Sequence, residues 1–259
     1  TRLGLKFGKP KLPYGLYNET RDVPFTRPGI LLPQSIYYDS IRNFLLAAPG
    51  AYLHGAHLGE YGVLELSAGL IRPDFSSESF YRNFPGLPDD SLDGRNSTAF
   101  SVRWDAPTDT TVALFRTELN SRFKPLADAT LTLRSWMLSL QQRIDTVTLT
   151  AEVVEPELER RGFNPFIDGN QQGRSWYVQG EWRFRPDWEA MLRFDQQYRN
   201  LDRRDNDTER ARDLTVGLRW DATPSLMLRA EYHHIDGTGW RPAADNPGQE
   251  DMDGDRVGD

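Results

Sequence analysis

The sequence predicts an all-β fold, an antiparallel transmembrane β-barrel that is incomplete, with about eleven strands present. Three observations carry that expectation. Apolar residues recur at every second position, in segments about ten residues long. Short turns alternate with long polar loops. Large aromatic side chains gather at segment ends rather than in their middles.

Residues 3–7 open the array, where Leu3, Leu5 and Phe7 alternate with Gly4, Lys6 and Gly8. Residues 10–50 then break the rhythm. Pro10, Pro13, Pro24, Pro28 and Pro33 forbid a continuous ladder. Ser35 is placed to cap a short helix from Ile36 to about Leu46. A loop this long is uncommon unless it is functional. Its apolar and aromatic content suits folding into the barrel mouth, where it would narrow the pore; a packed extracellular cap is the plainer alternative.

Hairpins follow. Residues 51–58 pair with 62–71, where Leu64, Leu66, Ala68 and Leu70 share a face. Phe100, Val102 and Trp104 oppose Ser101, Arg103 and Asp105, and a strand around 111–119 returns. Segments 129–141 and 145–154 form the next pair, with a change of pattern near Arg134 and Ser135 that suggests a bulge. In 175–185, Trp176, Val178, Gly180, Trp182 and Phe184 oppose Tyr177, Gln179, Glu181, Arg183 and Arg185. Trp188, Ala190, Leu192 and Phe194 oppose Glu189, Met191, Arg193 and Asp195. Finally Leu214, Val216, Leu218 and Trp220 are answered by Leu226, Leu228, Ala230 and Tyr232. Short turns fall near 59–61, 105–109, 141–145, 185–188 and 221–225, and longer loops near 72–97, 120–127, 157–173 and 199–211. One trimmed end and one elaborated end suit an outer-membrane barrel.

The apolar face could instead meet a second sheet, as in a soluble β-sandwich, and such a protein could bind carbohydrate on its Trp and Tyr rings. The aromatic placement favours lipid. Trp104, Phe184, Trp188 and Trp220 lie near short turns, and Trp176, Tyr198 and Tyr232 near long loops, as two membrane-interface belts. The opposite face carries Glu152, Glu181, Arg183, Arg193, Asp195, Arg219, Arg229 and Glu231, the expected pore-lining charges. Cross-strand salt bridges that merely stiffen the wall are the alternative role for them. An odd strand count in a barrel that must close, together with a start at Thr1 and an end in a polar loop, suggests a partial chain.

Composition excludes several classes. The 259 residues carry 38 acidic and 31 basic side chains, a net charge of −7, which disfavours nucleic acid as a partner. There is no cysteine, hence no disulfide scaffold and no thiolate metal site. Mean hydropathy is −0.64, and no apolar run approaches the ~20 residues of a membrane helix. Catalysis finds little support. His54 and His57 fall on opposite faces of a strand, as do His233 and His234. His233 beside Glu231 could act as a base, but no nucleophile motif accompanies it. Asp251, Asp253, Asp255 and Asp259 resemble a calcium loop, yet Arg256 stands where that loop needs glycine, so no metal site is assigned. No cofactor motif is present.

The run Leu12-Pro13-Tyr14-Gly15-Leu16-Tyr17-Asn18-Glu19-Thr20-Arg21-Asp22, with Thr26-Arg27-Pro28 and Leu31-Leu32-Pro33-Gln34-Ser35-Ile36-Tyr37, resembles the early region of uncharacterised porin-like outer-membrane proteins of Gram-negative bacteria. The resemblance is specific over about residues 1–45 and generic beyond. It implies a barrel in outer-membrane lipid with passive solute passage and carries over no substrate; the polar inward face suggests small hydrophilic solutes, and the missing catalytic motifs suggest no enzymatic role. Adhesion or hydrolysis would be alternative roles for such a barrel. Some porins of this size form a homotrimer, but the sequence identifies no interface. Such proteins usually end in an aromatic-terminated strand, whereas this chain ends at Gly258-Asp259.

Overall fold

Period-two patterning resolves into one antiparallel sheet. A computed structural model describes residues 2–76, 78–82, 87–126 and 128–241. The acidic string from Asp251 to Asp259 lies outside the described residues. In chain order the strands are β1 (Arg2–Gly8), β2 (Gly50–Gly59), β3 (Gly62–Ile71), β4 (Leu92–Gly94), β5 (Ser97–Asp105), β6 (Thr110–Phe123) and β7 (Thr130–Ile144). They continue as β8 (Val147–Arg161), β9 (Gly169–Gln172), β10 (Arg174–Arg185), β11 (Trp188–Tyr198), β12 (Arg210–Thr223) and β13 (Leu226–Gly237). The sheet order is β1-β2-β3-β5-β6-β7-β8-β10-β11-β12-β13, with short β4 added on β6 and β9 on β8. Eleven strands thus form the wall as an up-and-down meander. No pairing joins β1 to β13 among the described residues.

Tight turns at 60–61, 106–109, 145–146, 186–187 and 224–225 close one end. Asp109 and Asp145 adopt φ of 55° and 50° in two of them, a conformation Asp tolerates better than most side chains. The opposite end carries the long connections, including α2 (Glu78–Tyr81).

Among the described residues no second sheet covers the apolar face. Trp182 and Leu192 are each 56% exposed and Leu218 is 42% exposed, so the soluble-sandwich alternative fails. On β8 the outward residues Val147, Leu149, Ala151 and Val153 give way to Glu155, Glu157 and Glu159. That apolar stretch measures roughly 20–25 Å along the strand, close to the lipid-facing band of an outer-membrane barrel.

The expected bulge at Arg134 and Ser135 is absent. Strands β7 and β8 pair without interruption from Thr130↔Arg161 to Ile144↔Val147. The pattern changes because the apolar side of the strand changes. Trp136, Leu138 and Leu140 face outward, whereas Leu131 and Leu133 face inward under the loops. Beyond the apolar band, outward positions meet water. There Arg134 bridges Glu118 and Glu159 at 3.3 and 2.9 Å, and Arg116 stacks 4.6 Å from the Trp136 ring.

The expected helix from Ile36 to Leu46 is also shorter than the sequence suggests. Only α1 (Arg42–Leu46) forms, with Ile41 rather than Ser35 at its N-cap. Ser35 is fully buried and its hydroxyl caps nothing. Ile36 and Tyr37 instead bond back to Pro33 O in a turn that lets Tyr37 and Tyr38 reach two separate stretches of wall.

At the turn end Trp188 and Trp220 stack across β11 and β12, centroids 5.5 Å apart at 10°. Trp220→Ala is expected to cost about 1 kcal/mol beyond its lost area. Urea titration of the barrel refolded in lipid vesicles would check it, and a loss no larger than Leu218→Ala would refute a special role for the stack.

Candidate functional site

Inward positions of the wall converge on the segment between β1 and β2. Strand alternation aims Glu152, Tyr177, Arg193, Asp195, Arg229 and Glu231 into the interior, and residues 14–38 lie against them.

The first anchor is Glu152, which is 2% exposed. Its carboxylate accepts from the Tyr37 and Tyr177 hydroxyls at 2.6 Å each, from Ser139 Oγ at 2.5 Å and from the Leu16 amide at 2.9 Å. Burial pushes the Tyr37 hydroxyl well above its ordinary range, so it stays a donor. Gly15 makes the approach feasible: its φ is +61°, and a Cβ there would stand 2.2 Å from the Tyr37 hydroxyl.

A second anchor holds the loop tip. Arg229 donates to the carbonyls of Pro24, Gly29 and Arg27 at 2.9, 2.9 and 2.6 Å. Glu231 accepts from the Ile30 and Leu31 amides at 2.6 and 3.2 Å. Arg193 donates to Leu31 O at 3.0 Å. A Cβ on Gly29 would sit 2.0 Å from Glu231 Oε1, so a larger residue there would have to displace the carboxylate that holds the loop tip. His233 places Nδ1 2.6 Å from Asp213 and Nε2 3.2 Å from Glu231. Asp195 is fully buried 3.5 Å from Arg193 Nε, and neither carboxylate oxygen has a hydrogen-bond partner among the described residues.

The loop also holds itself. Arg21, 3% exposed, donates to Tyr37 O at 2.8 Å and to Asp39 at 2.6 Å. Asn18 donates to Leu12 O, Leu45 O and Leu46 O. Lys11, 2.7 Å away, and Arg42 hold the Asp22 carboxyl below the usual range, so Asp22 keeps its charge into mild acid.

The remaining predicted charges sit elsewhere. Arg183 bridges Glu189 and Asp221 at 2.9 and 3.0 Å, and Arg219 reaches Asp221 at 2.8 Å, all near the tight turns. Glu181 accepts from Gln179 at 2.9 Å. The four arginines therefore divide into a loop-holding pair, Arg193 and Arg229, and a turn-end pair. Of the interface aromatics, Trp104 donates from its indole to Tyr61 O at 2.8 Å. Trp176 packs on Phe194, Phe184 on Trp182, and Tyr232 is the last apolar outward residue of β13 before His234 and Asp236. Tyr198 lies 5.9 Å beneath the Arg204 guanidinium.

Opposite the anchors, the loop leaves a polar cavity of about 260 Å³ against β1, β2, β3, β5, β6 and β7. Lys6, Lys11, Glu19, His54, Glu65 and Arg103 line it. Sequence reasoning passed over Lys6, Glu65, Tyr177 and Ser139 as site residues, although each stands on the polar face of its strand. Among the described residues no group of three or more His, Asp or Glu side chains is arranged to hold a metal ion.

The sheet with its inserted loop aligns with the outer-membrane channel DcaP of Acinetobacter baumannii at TM-score 0.61, over 89% of this chain and 65% of that one. The fold is that of an outer-membrane porin. An anion-selective porin from Comamonas acidovorans aligns at TM-score 0.53 over 74% of this chain and 50% of the other, and a loop-deleted OmpT of Vibrio cholerae at 0.55 over 90% and 70%. Identities are 10%, 12% and 13% respectively, so the likeness concerns fold alone. This chain spans less than two thirds of the length of the Acinetobacter channel and half of the Comamonas porin. No protein-family model and no curated protein matches the sequence. The segment from 10 to 50 packs on the inward face of this sheet, with hydrogen-bonded anchors on β8, β11 and β13.

Proposed function

We propose that the chain forms a water-filled outer-membrane pore through which small hydrophilic solutes diffuse passively, narrowed by the loop of residues 10–50. One observation carries this reading: the loop's charged anchors lie on β8, β11 and β13, while between the loop and β1–β7 there is a cavity lined by charged groups. Fixed charges beside such a passage set ion preference. In this reading Lys6, Glu65 and Arg103 face passing solute, Arg183 and Arg219 guard the turn-end opening, and Glu152, Arg193, Arg229 and Glu231 set the width by holding the loop.

Planar-bilayer recording of the full-length protein tests this directly. Discrete conductance steps are expected, and a silent, correctly folded barrel would refute conduction. Glu65→Lys is expected to move the reversal potential toward anion selectivity by about 10–20 mV in a tenfold KCl gradient, against an ideal limit of about 59 mV. Arg219→Glu should move it the other way. If neither variant shifts it, the solute path lies elsewhere.

A further inference from the structure

The loop-end half of the interior departs from what a polar passage requires. Inward positions there are apolar on three successive strands: Leu119 on β6, Leu131 and Leu133 on β7, Val154 and Leu158 on β8. With Phe44 of α1 and Phe75, Phe80 and Leu92 they line a cavity of about 220 Å³, distinct from the polar one. An apolar cavity of about 150 Å³ suffices for benzene. This one has room for a substituted ring.

Two buried polar groups line the same cavity and lack partners among the described residues. Thr117 Oγ1 belongs to a residue 5% exposed, and Gln197 Oε1 to one 3% exposed. The Gln197 amide nitrogen is already committed to the Tyr38 hydroxyl at 2.6 Å, which leaves its oxygen as an acceptor. Thr117 offers a hydroxyl that can donate or accept. Leaving such groups unmet costs free energy, and a ligand that meets them recovers it.

We propose that this chamber binds a small neutral aromatic solute bearing a hydroxyl or similar hydrogen-bonding group. The ring fills the leucine-lined space, and the polar group meets Thr117 Oγ1, with Gln197 Oε1 as a second acceptor lining the same chamber. Such a site retains at the mouth a class of molecule that a polar pore would merely pass. Binding here does not depend on whether the lumen conducts, so the two readings fail separately.

The test uses the full-length protein in lipid nanodiscs with 4-fluorophenol as probe, observed by fluorine NMR. Protein-free nanodiscs correct for partition into lipid. Saturable binding to the unaltered protein is expected. Leu133→Trp fills the chamber and should weaken it about tenfold or more. Thr117→Val is isosteric, removes one hydrogen bond and should weaken it about two- to tenfold. If Leu133→Trp does not assemble, Thr117→Val decides alone. Signal no greater than that of protein-free nanodiscs overturns the proposal, as does binding indifferent to the variants that fold. Bilayer conductance of the same preparations reports separately on the passage.

Discussion

Glu152→Ala is expected to loosen the inserted loop, raise single-channel conductance and lower folding stability by roughly 3–5 kcal/mol. The substitution removes the shared acceptor of two tyrosine hydroxyls, a serine hydroxyl and a backbone amide. Each donor left buried and unmet costs about 1–3 kcal/mol, and entry of water into the space relieves part of the sum. Glu152→Gln keeps one acceptor oxygen and should fall between the two. Urea titration in vesicles reads the stability, and single-channel recording reads the width. An alanine variant within 1 kcal/mol of the parent, with unchanged conductance, would mean that the carboxylate does not hold the loop.

The other large effect lies on the opposite face. Leu192→Arg places a charge at the middle of the lipid-facing band, between Gly180 and Val216 of the neighbouring strands. At bilayer midplane such a change costs about 2–4 kcal/mol, so assembly should fail or slow sharply. One residue along, Arg193 is 1% exposed and accommodated, because it points inward to Leu31 O and Thr215. Folding yield into lipid vesicles distinguishes the outcomes. An arginine tolerated at 192 without loss would argue that this face does not meet acyl chains.

Strand positions and faces were legible in the sequence because lipid imposes one rule on every second residue. Val147, Leu149, Ala151 and Val153 obey it, as do Leu214, Val216 and Leu218. The rule stops where the band stops. Arg134 and Ser135 looked like a bulge only because outward residues beyond the hydrocarbon turn polar while inward ones turn apolar beneath the loops. The loop's hold was illegible for another reason. Arg193 and Arg219 occupy the same face of neighbouring strands, yet one binds a backbone carbonyl and the other Asp221. Only the course of residues 14–38 separates them, and no local pattern records that course. Ser35 misled in the same way: its capping chemistry was real, but burial of Tyr37 against Glu152 prevailed over helix initiation.

The one-sided attachment of the loop bears on engineering the aperture. Excising residues 14–38 would do more than enlarge the opening. Glu152, Arg193, Arg229 and Glu231 now direct hydrogen bonds at the loop's backbone and at Tyr37; stripped of that cover, they would turn charge toward water on β8, β11 and β13. A designer seeking a wider nanopore of unchanged ionic character would need to neutralise those four positions together with the cut.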